Sequence, residues 1–127
     1  MTQEGTTHHA KLTPEEESKY YSQLRLDLAK IIPVDLDRLG EISLYKSSIS
    51  STLLSLPIKA TNDRFKRNVA EIISDLDVLI RNKNFTIISW FNITNNMDPN
   101  YGFKIKSKYN IFLSMLHYIL MILKTNF

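Results

Sequence analysis

The chain has 127 residues, 43% of them apolar and 23% charged, the size and balance of one ordinary folded domain. Cysteine is absent, which excludes disulfide scaffolds, thiolate metal sites and cysteine nucleophiles. Three glycines and four prolines are too few for a glycine-rich phosphate loop or a turn-dense β protein, and a net charge of +3 does not by itself point to nucleic acid.

Charge is divided unevenly. Residues 1–37 carry four basic and seven acidic side chains, and residues 38–127 carry twelve basic and six acidic. Solvated faces of opposite tint account for this division, because exposed charges act weakly on one another.

Residues 1–11 (MTQEGTTHHAK) are polar and without periodicity, and they read as a disordered leader lacking a secretory signal. His8 and His9 are metal-ligand residue types, but two adjacent histidines on a tail supply no fixed geometry. A helix is expected next. Thr13 is a good N-cap, Pro14 suits the first helical position, and Glu16 completes a capping box. Tyr21, Leu24, Leu28 and Ile31 trace one stripe, widened by Tyr20 and Ile32, and Pro33 ends it.

A second helix is predicted from Asp35 to Leu56, stopped by Pro57. Leu39, Ile42, Ile49, Leu53 and Leu56 fall on spacings compatible with a heptad seam, with Lys46 as its polar interruption. A third helix, capped by Thr61 or Asn62, carries Phe65, Val69, Ile72, Leu76 and Leu79 at alternating steps of four and three. Ile73 and Ile80 widen that face enough for two neighbours. Only a few residues around Pro57 join the two helices, so an antiparallel hairpin is expected.

Beyond Lys83, FTIISWFNIT loses helical periodicity and on its own reads as a strand, with extended packing, a short helix or a segment pairing with another chain as alternatives, and Trp90 and Phe91 look buried. Asn84 and Asn92 match the glycosylation acceptor pattern by chance, given the absence of a signal peptide. Residues 95–108 form a turn-rich loop or linker. Tyr109 to Leu123 is apolar on every side of a helix, which fits a buried helix or a membrane anchor flanked by Lys104, Lys106, Lys108 and Lys124. As a helix it reaches about 22 Å, short of the roughly 30 Å hydrocarbon core of a bilayer. The composition of residues 104–127, dominated by Lys, Ile, Asn, Phe, Tyr and Met, also fits an alternative C-terminus appended to a domain that ends near residue 94.

Catalytic constellations are missing. His117 lies in an apolar run without a nearby acid, Asp75 and Asp77 point to different sides of a helix, and Glu71 with Asp75 lacks a completing ligand. No zinc-protease, nucleophile-elbow, phosphate-loop or dinucleotide motif occurs. The basic run Arg64, Phe65, Lys66, Arg67 with Lys59 reads as a solvated helix face rather than a nucleic-acid site.

The expectation is therefore an all-α chain: three amphipathic helices in a coiled-coil-like antiparallel hairpin or small bundle, plus an apolar C-terminal helix. Its plan is a leader over 1–11, a helical domain over 12–94, a linker over 95–108 and the last helix over 109–127. The expected function is that of a non-enzymatic interaction subunit of a larger assembly, cytoplasmic or nuclear, with other helical subunits as partners and no cofactor or metal. Its seam would be Leu39, Ile42, Ile49, Leu53, Leu56, Phe65, Val69, Ile72, Leu76 and Leu79. The alternatives are a tail-anchored membrane adaptor using residues 109–123 and a small Bcl-2-like helical binding module.

Overall fold

The computed structural model describes residues 1–106 and 118–123. Three helices and four strands are present among them: α1 (Gln3–His9), α2 (Pro14–Ile31), β1 (Ser43–Ser47), β2 (Thr52–Lys59), α3 (Val69–Arg81), β3 (Phe103–Lys106) and β4 (Tyr118–Leu123). The strands order as β1-β2-β4-β3 with every pairing antiparallel. The chain is thus mixed α and β, and the all-α, coiled-coil and helical-bundle expectations are overturned.

The largest correction falls on residues 35–56. In place of a long helix, a 3-10 turn at Leu36–Arg38 leads through Leu39, which bridges to Ile58, into a β-hairpin. The hairpin tip closes where Ser48 N donates to Ser51 O at 2.8 Å and Ser51 N donates to Ser48 Oγ at 3.1 Å. Serine side chains compete for backbone partners in this way, so a serine cluster favours a turn over a helix interior. Thr52 to Leu56 are buried at five consecutive positions, as on a strand covered on both faces. The apparent heptad spacing is a coincidence of residues that sit in a bridge, a hairpin tip and a strand. Pro57 is tolerated in β2 because the β1 ladder ends at Ser55, and beyond it Gly40 N donates to Pro57 O at 2.8 Å.

Two helices follow local signals. The Thr13–Glu16 capping box of α2 forms as expected, and Tyr20, Leu24, Leu28, Ile31 and Ile32 are buried along its predicted face. The third helix starts later than expected, because Asn68 rather than Thr61 or Asn62 is its N-cap. Asn68 Oδ1 accepts from Glu71 N at 2.9 Å, and Glu71 Oε2 accepts from Asn68 N at 2.8 Å. Residues 60–67 instead form a loop in which Asp63 Oδ1 accepts from Phe65 N. From α3, Ile72, Leu76 and Ile80 enter the main core with no exposed surface. There they join Leu24, Leu28, Leu54, Leu56 and Ile58.

The ends of the chain also depart from expectation. Residues 3–9, read as part of a disordered leader, are helical, and Met1 is fully buried in the core. Tyr118–Leu123, read as the end of an apolar helix, is a strand between β2 and β3, while residues 109–117 lie outside the described residues. Among the described residues, no helix is long and apolar enough to cross a membrane.

Three arginines hold the irregular segments by donating to backbone carbonyls. Arg25 reaches Leu39 O at 2.6 Å and Leu36 O at 3.0 Å. Arg38, itself buried, donates to Lys59 O at 2.7 Å and Arg67 O at 2.9 Å, clasping both ends of the loop before α3. Arg81 pairs with Asp77 and donates to Tyr101 O at 3.0 Å, while Asp77 Oδ1 accepts from Phe103 N at 2.7 Å. Charged donors make stronger bonds than neutral ones, and here they fix loop geometry.

Candidate interaction surface

Most of the seam expected from the sequence is spent inside the molecule. Leu39, Ile42, Leu56, Ile72 and Leu76 lie in one core, with Val69 and Leu79 packed partly buried against it. Leu53 makes a separate small cluster with Tyr101. Two seam residues stand free of both clusters. Ile49, at the hairpin tip, is 102% exposed, and Phe65, in the loop before α3, is 86% exposed with the Arg64 guanidinium 5.0 Å from its ring centre. The structure therefore does not bring the ten residues together on one face.

Exposed apolar side chains also lie on β1, at Leu44 and Tyr45, and along the end of α3 and the two 3-10 turns that follow it, Lys83–Phe85 and Ile87–Trp90, where the largest of them stand. Val78 is 55% exposed, Phe85 93% and Trp90 78%. Trp90 thus corrects the expectation that it is buried, and FTIISWFNIT forms turns rather than a strand. The turns have a local cause. Asn82 O accepts from Phe85 N at 2.9 Å, and Thr86 Oγ1 donates to Leu79 O at 3.0 Å, folding the segment back onto the helix end. Ile88, buried between them, anchors the segment to the core. Anchoring one apolar residue leaves its neighbours at the surface.

Beside Val78 and Leu79 is a groove of about 330 Å³, lined also by Ile31, Ile32, Pro33, Arg67 and Asp75. It separates the C-terminal end of α2 from α3. Arg67 and Asp75 form an ion pair with each other, which leaves the rim polar but locally neutral. Lys83, on the turn after α3, donates to Asn95 O at 2.8 Å, and burial holds its ammonium below the usual lysine range.

The acidic side chains of α3 are engaged in local structure. Asp75 pairs with Arg67, and Asp77 with Arg81. Glu71 serves as half of a capping box. Among the described residues, no three His, Cys, Asp or Glu side chains converge as a metal site. His9 is packed between Tyr20 and Tyr21 instead of projecting from a tail. His117 lies outside the described residues. In the basic run, Lys66 pairs with Asp35 at 2.6 Å and Arg67 with Asp75, so two of its three cations already have carboxylate partners.

The aromatic run 85–91 stood out in the sequence as a segment without period 2 or 3.6. What could not be read was which of its members would be buried. Comparisons with protein-family models, with curated proteins and with solved structures find no match to this chain.

Proposed function

We propose that this chain is a non-enzymatic protein-interaction module that receives an amphipathic helix of a partner subunit on the surface formed by Val78, Phe85, Trp90 and the adjoining groove. The observation that carries the reading is the exposure of Val78, which lines the groove, together with that of Phe85 and Trp90 on the turns that follow α3. Large aromatic side chains left in water next to a concave apolar surface mark interaction sites in soluble domains. A helix presenting apolar residues at i, i+3, i+4 and i+7 is the matching occupant, since such a stripe fills an elongated groove. The Arg67–Asp75 pair supports an apolar stripe in particular, because a charged one would have no unpaired counter-ion at this rim.

Trp90 is the chain's single tryptophan and reports on its own surface. The test titrates the full chain with a synthetic amphipathic helical peptide carrying leucines at those four positions. A saturable blue shift of Trp90 emission, lost in Val78→Asp, is the expected result. Emission that stays that of a water-exposed indole throughout overturns the reading. A blue shift that follows the chain's own concentration assigns the surface to a second copy, and one produced by phosphatidylcholine vesicles but not by peptide assigns it to lipid.

A further inference from the structure

α1 has seven residues, far fewer than a helix needs to persist alone in water, so its existence depends on what it docks against. Its start is held by Met1, whose side chain is buried and whose ammonium donates to Thr52 O at 3.2 Å, and by Thr2 N, which donates to Asn96 O at 2.6 Å. Its end is held by His9 alone among its ionisable groups. The His9 ring is 7% exposed, stacks on Tyr21 with centroids 5.6 Å apart, and meets Tyr20 edge-on at 5.8 Å.

The proton positions in this cluster follow from the donor inventory. Tyr21 has one hydroxyl hydrogen, which it donates to Glu17 Oε1 at 2.6 Å. Tyr21 Oη is therefore the acceptor in its 2.8 Å contact with His9 Nε2, and the neutral ring carries its hydrogen on Nε2. A second proton can enter only at Nδ1, and it turns a buried ring packed against two tyrosines into a cation.

We propose that α1 is a latch governed by His9: closed on α2 while the imidazole is neutral, and released when the imidazole becomes a cation. The charged and titratable groups facing His9 are Glu17, Tyr20 and Tyr21 from α2, and His8 and the N-terminal ammonium from its own segment. Only Glu17, 3.9 Å away, favours the cation, and its carboxylate already accepts the Tyr21 hydrogen bond. Burial opposes the cation more strongly, reinforced by His8 and the ammonium, and holds His9 below its ordinary value of 6.5. The sign follows. A histidine that binds its proton less well when docked contributes stability above its ordinary pKa and loses it as pH falls through and below that value. Release takes the His9 ring off Tyr20, which is otherwise buried.

The experiment measures amide hydrogen exchange by NMR on the full chain at pH 7.5 and pH 5.5, corrected for intrinsic exchange. One proton linked to opening, with a released-state pKa of 6.5, raises the α1 opening constant by at most about tenfold across that interval. The expected result is a rise approaching this limit at residues 4–10, with Leu24 and Leu28 of α2 unchanged. His9→Gln, which keeps a side-chain N–H donor for Tyr21, should flatten the response, whereas His8→Gln should preserve it. The His9 ring should also titrate below 6.5, the ordinary imidazole value. Three results would each overturn the latch: no change in α1 opening, equal opening of α1 and α2, or a His9 midpoint at or above 6.5. The ring titration needs no variant, so the proposal stays testable should His9→Gln fail to fold.

Discussion

Replacing Gly102 with alanine should be among the most damaging single changes outside the core. Gly102 has φ near +69°, the left-handed region that costs a non-glycine residue about 1–2 kcal/mol. An added Cβ would fall inside the van der Waals shell of Asp77 Oδ1 and lie 2.9 Å from Arg81 Nε. Asp77 can swing aside, since its carboxylate is the free end of a side chain. Moving it breaks the bond from Phe103 N to Oδ1 and loosens the Arg81 guanidinium that holds Tyr101 O. A hydrogen bond to a charged group contributes about 1.5–3 kcal/mol, and a half-buried amide left without its acceptor costs a similar amount. Strain and one lost charged bond together predict a destabilisation of about 3–5 kcal/mol. Urea unfolding followed by far-UV circular dichroism measures it as a lower midpoint at unchanged slope. Asp77→Asn should remove part of the cost of Gly102→Ala when the two are combined, because they act on one network. A loss below about 1 kcal/mol for Gly102→Ala, or strict additivity with Asp77→Asn, would refute this account of the α3–β3 junction.

Three further outcomes follow from the same structure. Ile72→Ala empties a fully buried core position and should cost about 2–5 kcal/mol in the same unfolding assay. Ile49→Ser and Phe65→Ser remove exposed side chains that the heptad spacing had placed in a buried seam, and each should stay within about 0.5 kcal/mol of the parent. A larger loss at either position would contradict the exposure of that side chain. Arg38→Gln gives up the guanidinium that joins Lys59 O to Arg67 O, and should speed limited trypsin cleavage after Arg64 or Lys66 at least several-fold while α3 keeps its amide protection.

The Asp35–Lys66 pair lies at the surface. The pair favours both charged forms, but solvent and salt screen it. His9 differs because its partners are enclosed.

The amino-acid sequence determined the features that depend on residues close along the chain. The Thr13–Pro14–Glu16 start, the stop at Pro33 and the buried stripe of α2 need only near neighbours, so they were legible. The Asn68–Glu71 capping box was equally local and equally visible, and it marks the true start of α3 against the earlier cap at Thr61 or Asn62. The β structure was not legible in the same way. A short apolar run such as Leu53–Leu56 or Tyr118–Leu123 satisfies a buried helix and a doubly covered strand alike, and period alone does not separate them. Only tertiary structure decides. Leu56 pairs with Met121, and a strand's backbone hydrogen bonds require that distant partner, whereas a helix finds its partners four residues away. The same holds for the surface and the latch. No local pattern says that Trp90 stays in water while Ile88 is buried, or that His9 finds Tyr21, since burial and proton affinity are set by what the rest of the chain brings alongside.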